Sequence, residues 1–471
     1  MIFHSLDYLL FFIFVVAVYW TLNRKLQVIF LIGMSYFFYG YIHPWFLYLI
    51  LTSTVVDYFC GLSMERHPDH KQTALLVSVV TNLGLLGFFK YFGFFVDNVS
   101  ELLLMFGLPG FTNNLDIYLP VGISFYTFQT MSYTIDIYRD QLKPRKNFLD
   151  FALFVSFFPQ LVAGPIERAK NFLPQIECER TLTVKDVQSG LFLLIWGFFK
   201  KMVIADNVAF IANKLLFLEE TSFLLVWVGA FAFGVQIFAD FSAYSDIARG
   251  SARLLGFNLS INFNHPYIAA SPAEYWKRWH ISLSSWIHDY VFLPLALSRK
   301  LRTATAGLIV SLFITFFLNG LWHGAGWNFI LWGIYHFFLI LLYGWARSHT
   351  PESIRDNSWL RPWQVLLMLF WNHISFLIFW EWELAYTLRN LTLSPFANSE
   401  IQIQTAKFLF GQTLLYSLPL WGHTLFAYIQ ERFFAKECWQ VTLFQTVASM
   451  IMFFGILVLR GDSVDFIYFQ F

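Results

Sequence analysis

The sequence predicts an all-α polytopic membrane protein with about ten to twelve membrane crossings and a few re-entrant or interfacial helices. Of its 471 residues, 57% are hydrophobic and 13% are charged, and this charged share is about half of what a soluble domain carries. The 18 Trp, 22 Tyr and 58 Phe exceed what one compact core buries, so lipid must cover much of the surface. The net charge of +1 provides no field for holding nucleic acid, and no nucleic-acid partner is expected.

Thirteen apolar segments account for these helices, because a crossing needs about 20 mainly apolar residues. They lie near residues 8–22, 28–44, 46–63, 74–96, 118–138, 150–164, 190–215, 222–239, 304–322, 327–345, 363–380, 408–429 and 441–459. The first follows a start without a basic region or a small-residue cleavage site, so we expect a retained membrane helix. No internal repeat or low-complexity linker divides the chain, which predicts one membrane domain over residues 1–471.

The basic connections and the cysteines bear on location and chemistry. Lys and Arg are frequent between residues 139 and 185 and recur at the pair Lys200-Lys201, and positive-inside reasoning places these segments on the cytoplasmic side. Cys60, Cys178 and Cys438 are far apart and form no CxxC pair, so neither a disulfide framework nor a zinc site is predicted. We expect no bound metal or cofactor.

A glycine-rich turn stands near the middle of 44 residues, 303–346, that contain no charged side chain. It reads Asn319-Gly-Leu-Trp-His323-Gly-Ala-Gly-Trp-Asn328, which fits two crossings joined by a broken turn. Its three glycines remove side chains around the imidazole of His323, and we expect this to open space for a substrate. Irregular backbone in lipid persists only beside protein or a water-filled cavity, so His323 and Asn319 are predicted to face a cavity.

His323 is the first candidate catalytic residue, because a neutral imidazole can take the proton of an attacking hydroxyl during acyl transfer. The alternative is a structural histidine that hydrogen-bonds a neighbouring helix. His336, 13 residues further on in a plain aromatic helix, is interpreted as structural.

A second group of candidates lies between Ser271 and Tyr290, where tryptophans alternate with charged residues, as in a helix at the membrane surface. Lys277 and Arg278 could receive the phosphates of an anionic donor, with Trp276 beside them. The alternative for both cations is anchoring to lipid headgroups. His280, close to two serines, is the better functional histidine of this segment.

A third group follows the apolar run at 222–239. Asp240 and Asp246 cannot face acyl chains, so they line a cavity or pair with cations such as Arg249 or Arg253. Gln129 is a further polar residue in an apolar segment. Together these residues predict a polar interior.

Six motifs in this order resemble the membrane-bound O-acyltransferase superfamily, and within it the bacterial alginate O-acetylase type. They are Leu119-Pro-Val-Gly-Ile-Ser-Phe-Tyr126, Phe158-Pro-Gln-Leu-Val-Ala-Gly-Pro165, Asp240-Phe-Ser-Ala-Tyr-Ser-Asp246, Asn262-Phe-Asn-His-Pro-Tyr267, Tyr275-Trp-Lys-Arg-Trp-His-Ile-Ser-Leu-Ser284 and Gly320-Leu-Trp-His-Gly324. The resemblance implies a funnelled bundle with its catalytic core at 119–345, in which His323 is catalytic and His280 supports it.

The resemblance also implies a bacterial inner-membrane enzyme that takes an acetyl group from cytoplasmic acetyl-CoA for O-acetylation of an exported polysaccharide of the alginate type. A periplasmic or membrane-anchored SGNH-type protein is the implied partner. The sequence departs from the family pattern at Ala243, at Ala296-Leu-Ser-Arg299 and at Phe379-Trp-Glu381, which leaves the acceptor open. The alternatives are a peptidoglycan O-acetyltransferase, D-alanyl transfer to teichoic acid, and a transport or glycan-export component without catalysis.

Overall fold

The computed structural model describes residues 1–112, 115, 117–216, 218, 221–298, 305–355, 357–380, 384–433 and 439–469. Throughout this part of the chain the regular structure is helical, so the predicted all-α class is confirmed. The family departures at Arg299 and Glu381, as well as Cys438, lie outside the described residues. Ala243, the remaining departure, is fully buried.

Eight helical segments of the described residues are long and apolar enough to cross a membrane, which makes this a multi-pass membrane protein. They are Phe46–Arg66, Pro68–Met105, Val184–Leu216, Phe223–Leu254, Thr305–His323, Trp327–His349, Ser358–Trp380 and Gln440–Leu459. Leu6–Tyr19 is a shorter apolar helix. Each of the thirteen predicted segments overlaps a helix, while the figure of ten to twelve crossings stays a prediction.

The chain forms two compact units. The first comprises Met1–Gly190 and Ala248–Ser260, and the second comprises Leu191–Ile247 and Ile261–Phe471. The single domain over 1–471 and the catalytic core at 119–345 stay predictions.

The helices of the first unit are α1 (Leu6–Tyr19), α2 (Arg24–Gly40), α3 (Phe46–Arg66), α4 (Lys71–Leu86), α5 (Phe92–Met105), α6 (Ile123–Tyr138), α7 (Phe148–Ser156), α8 (Phe158–Leu161) and α9 (Ala169–Glu177). Side-chain oxygens at Ser5 and Asn23 accept backbone N–H groups and begin α1 and α2, as expected of N-cap residues. Helices α3, α4 and α6 pack against one another. Nearly the whole circumference of α6 is buried, so this helix is the centre of the unit.

Two helices, α10 (Val184–Phe199) and α12 (Phe223–Leu254), have residues in both units. The second unit continues with α11 (Asp206–Leu216), α13 (Pro272–Trp276), α14 (Ile281–Ile287), α15 (Leu293–Ala296), α16 (Thr305–His323), α17 (Trp327–His349), α18 (Glu352–Arg355), α19 (Arg361–Trp380), α20 (Leu384–Leu391), α21 (Glu400–Phe433) and α22 (Trp439–Leu459). Wider π-type turns occupy Gly87–Tyr91, Lys200–Ala205 and His288–Phe292, and short 3₁₀ turns occupy Pro68–His70, Pro266–Ile268, Ser358–Leu360 and Ile467–Phe469.

Helices α16 and α17 form a closely packed hairpin, and its glycines explain why. A Cβ atom at Gly320 would collide with the carbonyl oxygen of Phe329, and one at Gly324 would collide with the Phe329 ring. Small residues let two helix backbones approach in this way. The expectation that these glycines open space for a substrate is therefore wrong for Gly320 and Gly324, whose space is filled by α17. Their effect is to fix His323 at the end of α16.

Candidate functional site

His323 lies at the end of α16, buried among aromatic rings. The ring centroids of Trp332, Trp322 and Phe379 lie 4.8, 5.0 and 5.4 Å from its own. Its Nδ1 lies 3.3 Å from the hydroxyl oxygen of Tyr468. A hydrogen bond at one ring nitrogen sets the tautomer of an imidazole. With the Nδ1–H group donating to the Tyr468 oxygen, Nε2 is the unprotonated nitrogen and can take a proton from a substrate.

Tyr468 is the site residue that the sequence interpretation missed. It belongs to the C-terminal segment 461–468, which follows α22 within the second unit and is held there by backbone contacts. The N–H of Gly461 donates to the Met202 carbonyl at 2.8 Å. The Tyr468 ring packs on Phe241 with centroids 4.5 Å apart, so the segment delivers this hydroxyl to His323.

A buried charge network anchors the same segment. Lys201 Nζ lies 2.8 Å from Asp206 and 3.0 Å from Asp240, and it donates to the Val464 carbonyl at 2.7 Å. Asp240 also accepts the N–H of Ile467 at 2.8 Å. The three charged side chains are at most 3% exposed. Charged groups buried this deeply are stable only when they are paired and hydrogen-bonded. The network therefore fixes the position of the C-terminal segment.

Asp246 belongs to a neighbouring pair. Lys200 Nζ donates to Asp246 at 2.7 Å and to Ser242 at 2.8 Å. The sequence predicted that Asp240 and Asp246 line a cavity or pair with cations, and the structure shows ion pairs of Asp240 with Lys201 and of Asp246 with Lys200. The interpretation of Lys200-Lys201 as part of a basic connection is wrong, because both lysines are buried in a helical segment.

His280 is fully buried, and its backbone is left-handed with φ of 43°, which an L-residue adopts at a cost. Asn262 holds this conformation. Its carbonyl accepts the Ile281 N–H at 2.9 Å, while its side-chain oxygen lies 3.1 Å from His280 Nδ1 and accepts the Ser282 hydroxyl at 2.9 Å. Burial lowers the pKa of His280 to about 3, so its imidazole is neutral near pH 7.

The structure brings His280 and His323 to the same tryptophan. The Trp322 ring lies 5.5 Å from His280 and 5.0 Å from His323, centroid to centroid. Phe241 similarly contacts both His280 and Tyr468, at 4.7 and 4.5 Å. His280 is therefore placed to orient the rings around His323.

A cavity of about 430 Å³ lies beside this site in the second unit. Its lining is mostly apolar and includes Trp276, Lys277, Ser284, Ser285, His288 and Asn319. His323, which was also predicted to face a cavity, is not among the described residues that line this one. Asn319 lies one helical turn before His323 on α16 and is the lining residue nearest to it along the chain. The structure thus assembles three of the predicted lining residues, Trp276, Lys277 and Asn319, at one cavity.

Other predicted residues lie elsewhere. Arg278 is paired with Glu274 at 3.0 Å and is not among the described residues that line the cavity. Gln129 belongs to the first unit, where its amide donates to the Phe154 carbonyl at 2.5 Å; its place in the substrate lining stays a prediction. His336 is buried against Trp276 and Trp332, with centroids 5.0 and 4.7 Å away.

Comparison with known proteins shows which family the chain matches. Residues 138–380 match the membrane-bound O-acyltransferase family, MBOAT. The chain is 38% identical to the probable alginate O-acetylase AlgI of Azotobacter vinelandii, over 75% of this chain and 71% of that protein. It is 39% identical to the probable alginate O-acetylase AlgI of Pseudomonas aeruginosa, over 76% and 69%. It is 35% identical to the peptidoglycan O-acetyltransferase of Helicobacter pylori, over 70% and 67%.

Proposed function

This chain belongs to the membrane-bound O-acyltransferase family, and we propose that it moves an acetyl group from cytoplasmic acetyl-CoA across the membrane for O-acetylation of an exported polysaccharide of the alginate type. Membership makes the protein a membrane O-acyltransferase. The alternative of a transport component without catalysis is therefore set aside.

The observation that carries the proposal is the position of His323. The imidazole is buried among aromatic rings, is 3.3 Å from the Tyr468 hydroxyl, and lies one helical turn from the cavity residue Asn319. A general base must lie within hydrogen-bond reach of the proton that it takes. Side chains four residues apart on a helix are neighbours, so the proposal places the thioester carbonyl beside Asn319 and the attacking hydroxyl next to the imidazole.

The proposed step is transfer of the acyl group from sulfur to oxygen. His323 Nε2 takes the proton of the attacking hydroxyl as its oxygen bonds to the carbonyl carbon. When the carbon–sulfur bond breaks, the protonated imidazole returns the proton to the leaving thiolate, and one ester and one thiol result. Tyr468 at Nδ1 orients the ring, and the surrounding aromatic side chains exclude water that would hydrolyse the donor.

His280 has a supporting role in this scheme. Its pKa of about 3 makes it a poor proton acceptor near pH 7, and its closest route to His323 runs through Trp322. We assign it the positioning of that ring.

The donor is proposed to enter through the cavity. An apolar pocket of about 430 Å³ suits the thioester end of the donor, and the exposed cation Lys277 on its lining suits the phosphates outside the hydrocarbon. Arg278 is the weaker candidate, because it is paired with Glu274 and is not among the described residues that line the cavity.

The acceptor assignment rests on the relatives, because the two alginate O-acetylases support an exopolysaccharide acceptor. The bacterial inner-membrane location and delivery through an extracytoplasmic SGNH-type partner are proposed from the family resemblance of the sequence motifs. Peptidoglycan is the second candidate acceptor, since the Helicobacter pylori relative is a peptidoglycan O-acetyltransferase with 35% identity.

Membrane vesicles with the cytoplasmic face outward provide the test. Acetyl-CoA labelled in the acetyl group is added outside vesicles that contain the acceptor polymer, and base-labile label is measured on the polymer. The proposal predicts labelled O-acetyl esters with the wild-type protein and none with His323→Gln. Label that reaches polymer equally with both proteins would contradict it, and label confined to peptidoglycan would identify the second acceptor.

A further inference from the structure

A buried polar centre lies in the first unit, where α3, α4 and α6 pack together. Asp57 on α3 is fully buried, and both of its carboxylate oxygens accept from Asn82 Nδ2 on α4, at 3.0 and 2.9 Å. The Asn82 side-chain oxygen lies 3.3 Å from the Thr130 hydroxyl on α6. None of these residues takes part in the proposed acyl transfer, so the buried carboxylate of Asp57 needs a different explanation.

Within the described part of the chain, no cation neutralises the carboxylate of Asp57. It forms no ion pair among the described residues. Of the cations carried by neighbouring segments, Lys71 is paired with Asp140 and Arg145 with Asp150, each at 2.5 Å. The remaining titratable or charged groups on these elements are Tyr48, Tyr58, Cys60, Glu65 and Arg66 on α3, Lys90 and Tyr91 on the π-type turn after α4, and Tyr126, Tyr133, Asp136 and Tyr138 on α6. An ionised carboxylate without a counter-charge is strongly disfavoured in a membrane-spanning helix.

Helices α3 and α6 carry two further hydroxyl groups close to Asp57 in sequence or beside Thr130. The hydroxyls of Ser53 and Thr127 are fully buried and have no hydrogen-bond partner among the described residues. Ser53 is one helical turn before Asp57 on α3, and Thr127 is one turn before Thr130 on α6. Side chains spaced in this way share a helix face, so both unused hydroxyls flank the carboxylate–amide pair.

We propose that this centre, formed by Ser53, Asp57, Asn82, Thr127 and Thr130, binds one monovalent cation. The ligand is either a proton carried on the carboxyl group or a sodium ion held by carboxylate, amide and hydroxyl oxygens. A single carboxylate matches a single positive charge, whereas a divalent ion would leave net charge in an apolar surrounding. Occupation neutralises Asp57 and so stabilises the packing of the three helices.

Thermal unfolding of the full-length protein in detergent tests the site. The Tm is measured in sodium chloride and in choline chloride at equal ionic strength, each over a range of pH. A sodium site gives a Tm that rises with sodium concentration and then levels off. A proton site gives a Tm that falls as the pH rises above about 4, the pKa of an aspartate in an unfolded chain, and does not respond to sodium, because the folded state keeps the proton that the unfolded state releases.

The variants decide whether Asp57 is responsible. Asp57→Asn removes the charge and is expected to abolish whichever response the wild type shows. If Asp57→Asn does not fold, Asp57→Ser is measured in its place, since the serine hydroxyl can still accept a hydrogen bond from the Asn82 amide. The matched control is Asp150→Asn, whose carboxylate is already paired with Arg145, and it should keep the wild-type response. If Asp57→Asn or Asp57→Ser shows the same dependence on sodium and pH as the wild type, the proposal is wrong.

Discussion

Replacing Lys201 by Met is expected to destabilise the second unit and to release the C-terminal segment from His323. The substitution leaves two buried carboxylates, Asp206 and Asp240, without the cation that lies 2.8 and 3.0 Å from them. Removing one partner of a buried ion pair costs about 3–5 kcal/mol, because the remaining charge stays desolvated. The Val464 carbonyl also loses its donor at 2.7 Å, so the anchor of the segment at 461–468 is lost in the same step.

Lys71→Met is the matched control. Lys71 is paired with Asp140 at 2.5 Å, but the aspartate is 78% exposed, and exposed pairs contribute about 0–1 kcal/mol. Unfolding of both variants in detergent gives the free-energy difference, carboxypeptidase digestion reports release of the C-terminus, and acyl transfer reports the site. Lys201→Met should unfold more easily, lose its terminal residues faster and lose activity. If it matches Lys71→Met in all three measurements, the network does not anchor the segment.

Three further predictions follow from the same geometry. Tyr468→Phe removes the hydroxyl at His323 Nδ1 while keeping the ring, and it should lower kcat with little change in Tm; an unchanged kcat would show that the hydroxyl does not orient the imidazole. Gly320→Ala places a Cβ against the Phe329 carbonyl oxygen and should destabilise the protein by about 1–3 kcal/mol, whereas Gly344→Ala, in open space, should not; equal unfolding of the two would refute close packing. The pKa of His280 is lowered from 6.5 to about 3, so the unfolded chain binds the extra proton and stability should fall as the pH drops from about 6.5 towards 3; His280→Gln should flatten this part of the pH profile, and an unaltered slope would contradict the assignment.

Hydropathy predicted the helices well because membrane crossings are long and their apolar character is local in sequence. Asn319 was also predicted to face a cavity, because irregular backbone in lipid needs one. Trp276 and Lys277, predicted to lie beside the donor, line the same cavity, while their contact with a donor stays a prediction. Both places carry a recognisable sequence pattern. Tryptophans alternate with charged residues around Trp276 and Lys277, and glycines are frequent at the end of α16.

Contacts between distant parts of the chain were not predictable in the same way. Tyr468 reaches His323 across 145 residues, and nothing in its surroundings, Ile467-Tyr-Phe469, marks it as polar or functional. The lysine pair looked like a basic connection, although two lysines inside a long apolar run, with two aspartates in the next one, are a signal for buried ion pairs. Periodicity reports which face of a helix is apolar and does not report which helix it meets.

The glycines around His323 show a further limit. A glycine that makes room for a substrate and a glycine that admits a neighbouring backbone are identical in sequence. The structure separates the two cases, because a Cβ at Gly320 meets the backbone of α17.

The most direct test of the account measures thioester cleavage by the purified protein in a single turnover. Acetyl-CoA is mixed with excess protein and an acceptor alcohol, and free thiol is followed for the wild type, His323→Gln and His336→Gln, with donor binding measured in parallel. Loss of a positioned general base lowers the rate by about 100-fold to 10,000-fold, so His323→Gln should bind donor and release thiol at that lower rate, while His336→Gln stays close to the wild type. If His323→Gln releases thiol at the wild-type rate, His323 is not the base and the proposed mechanism is wrong.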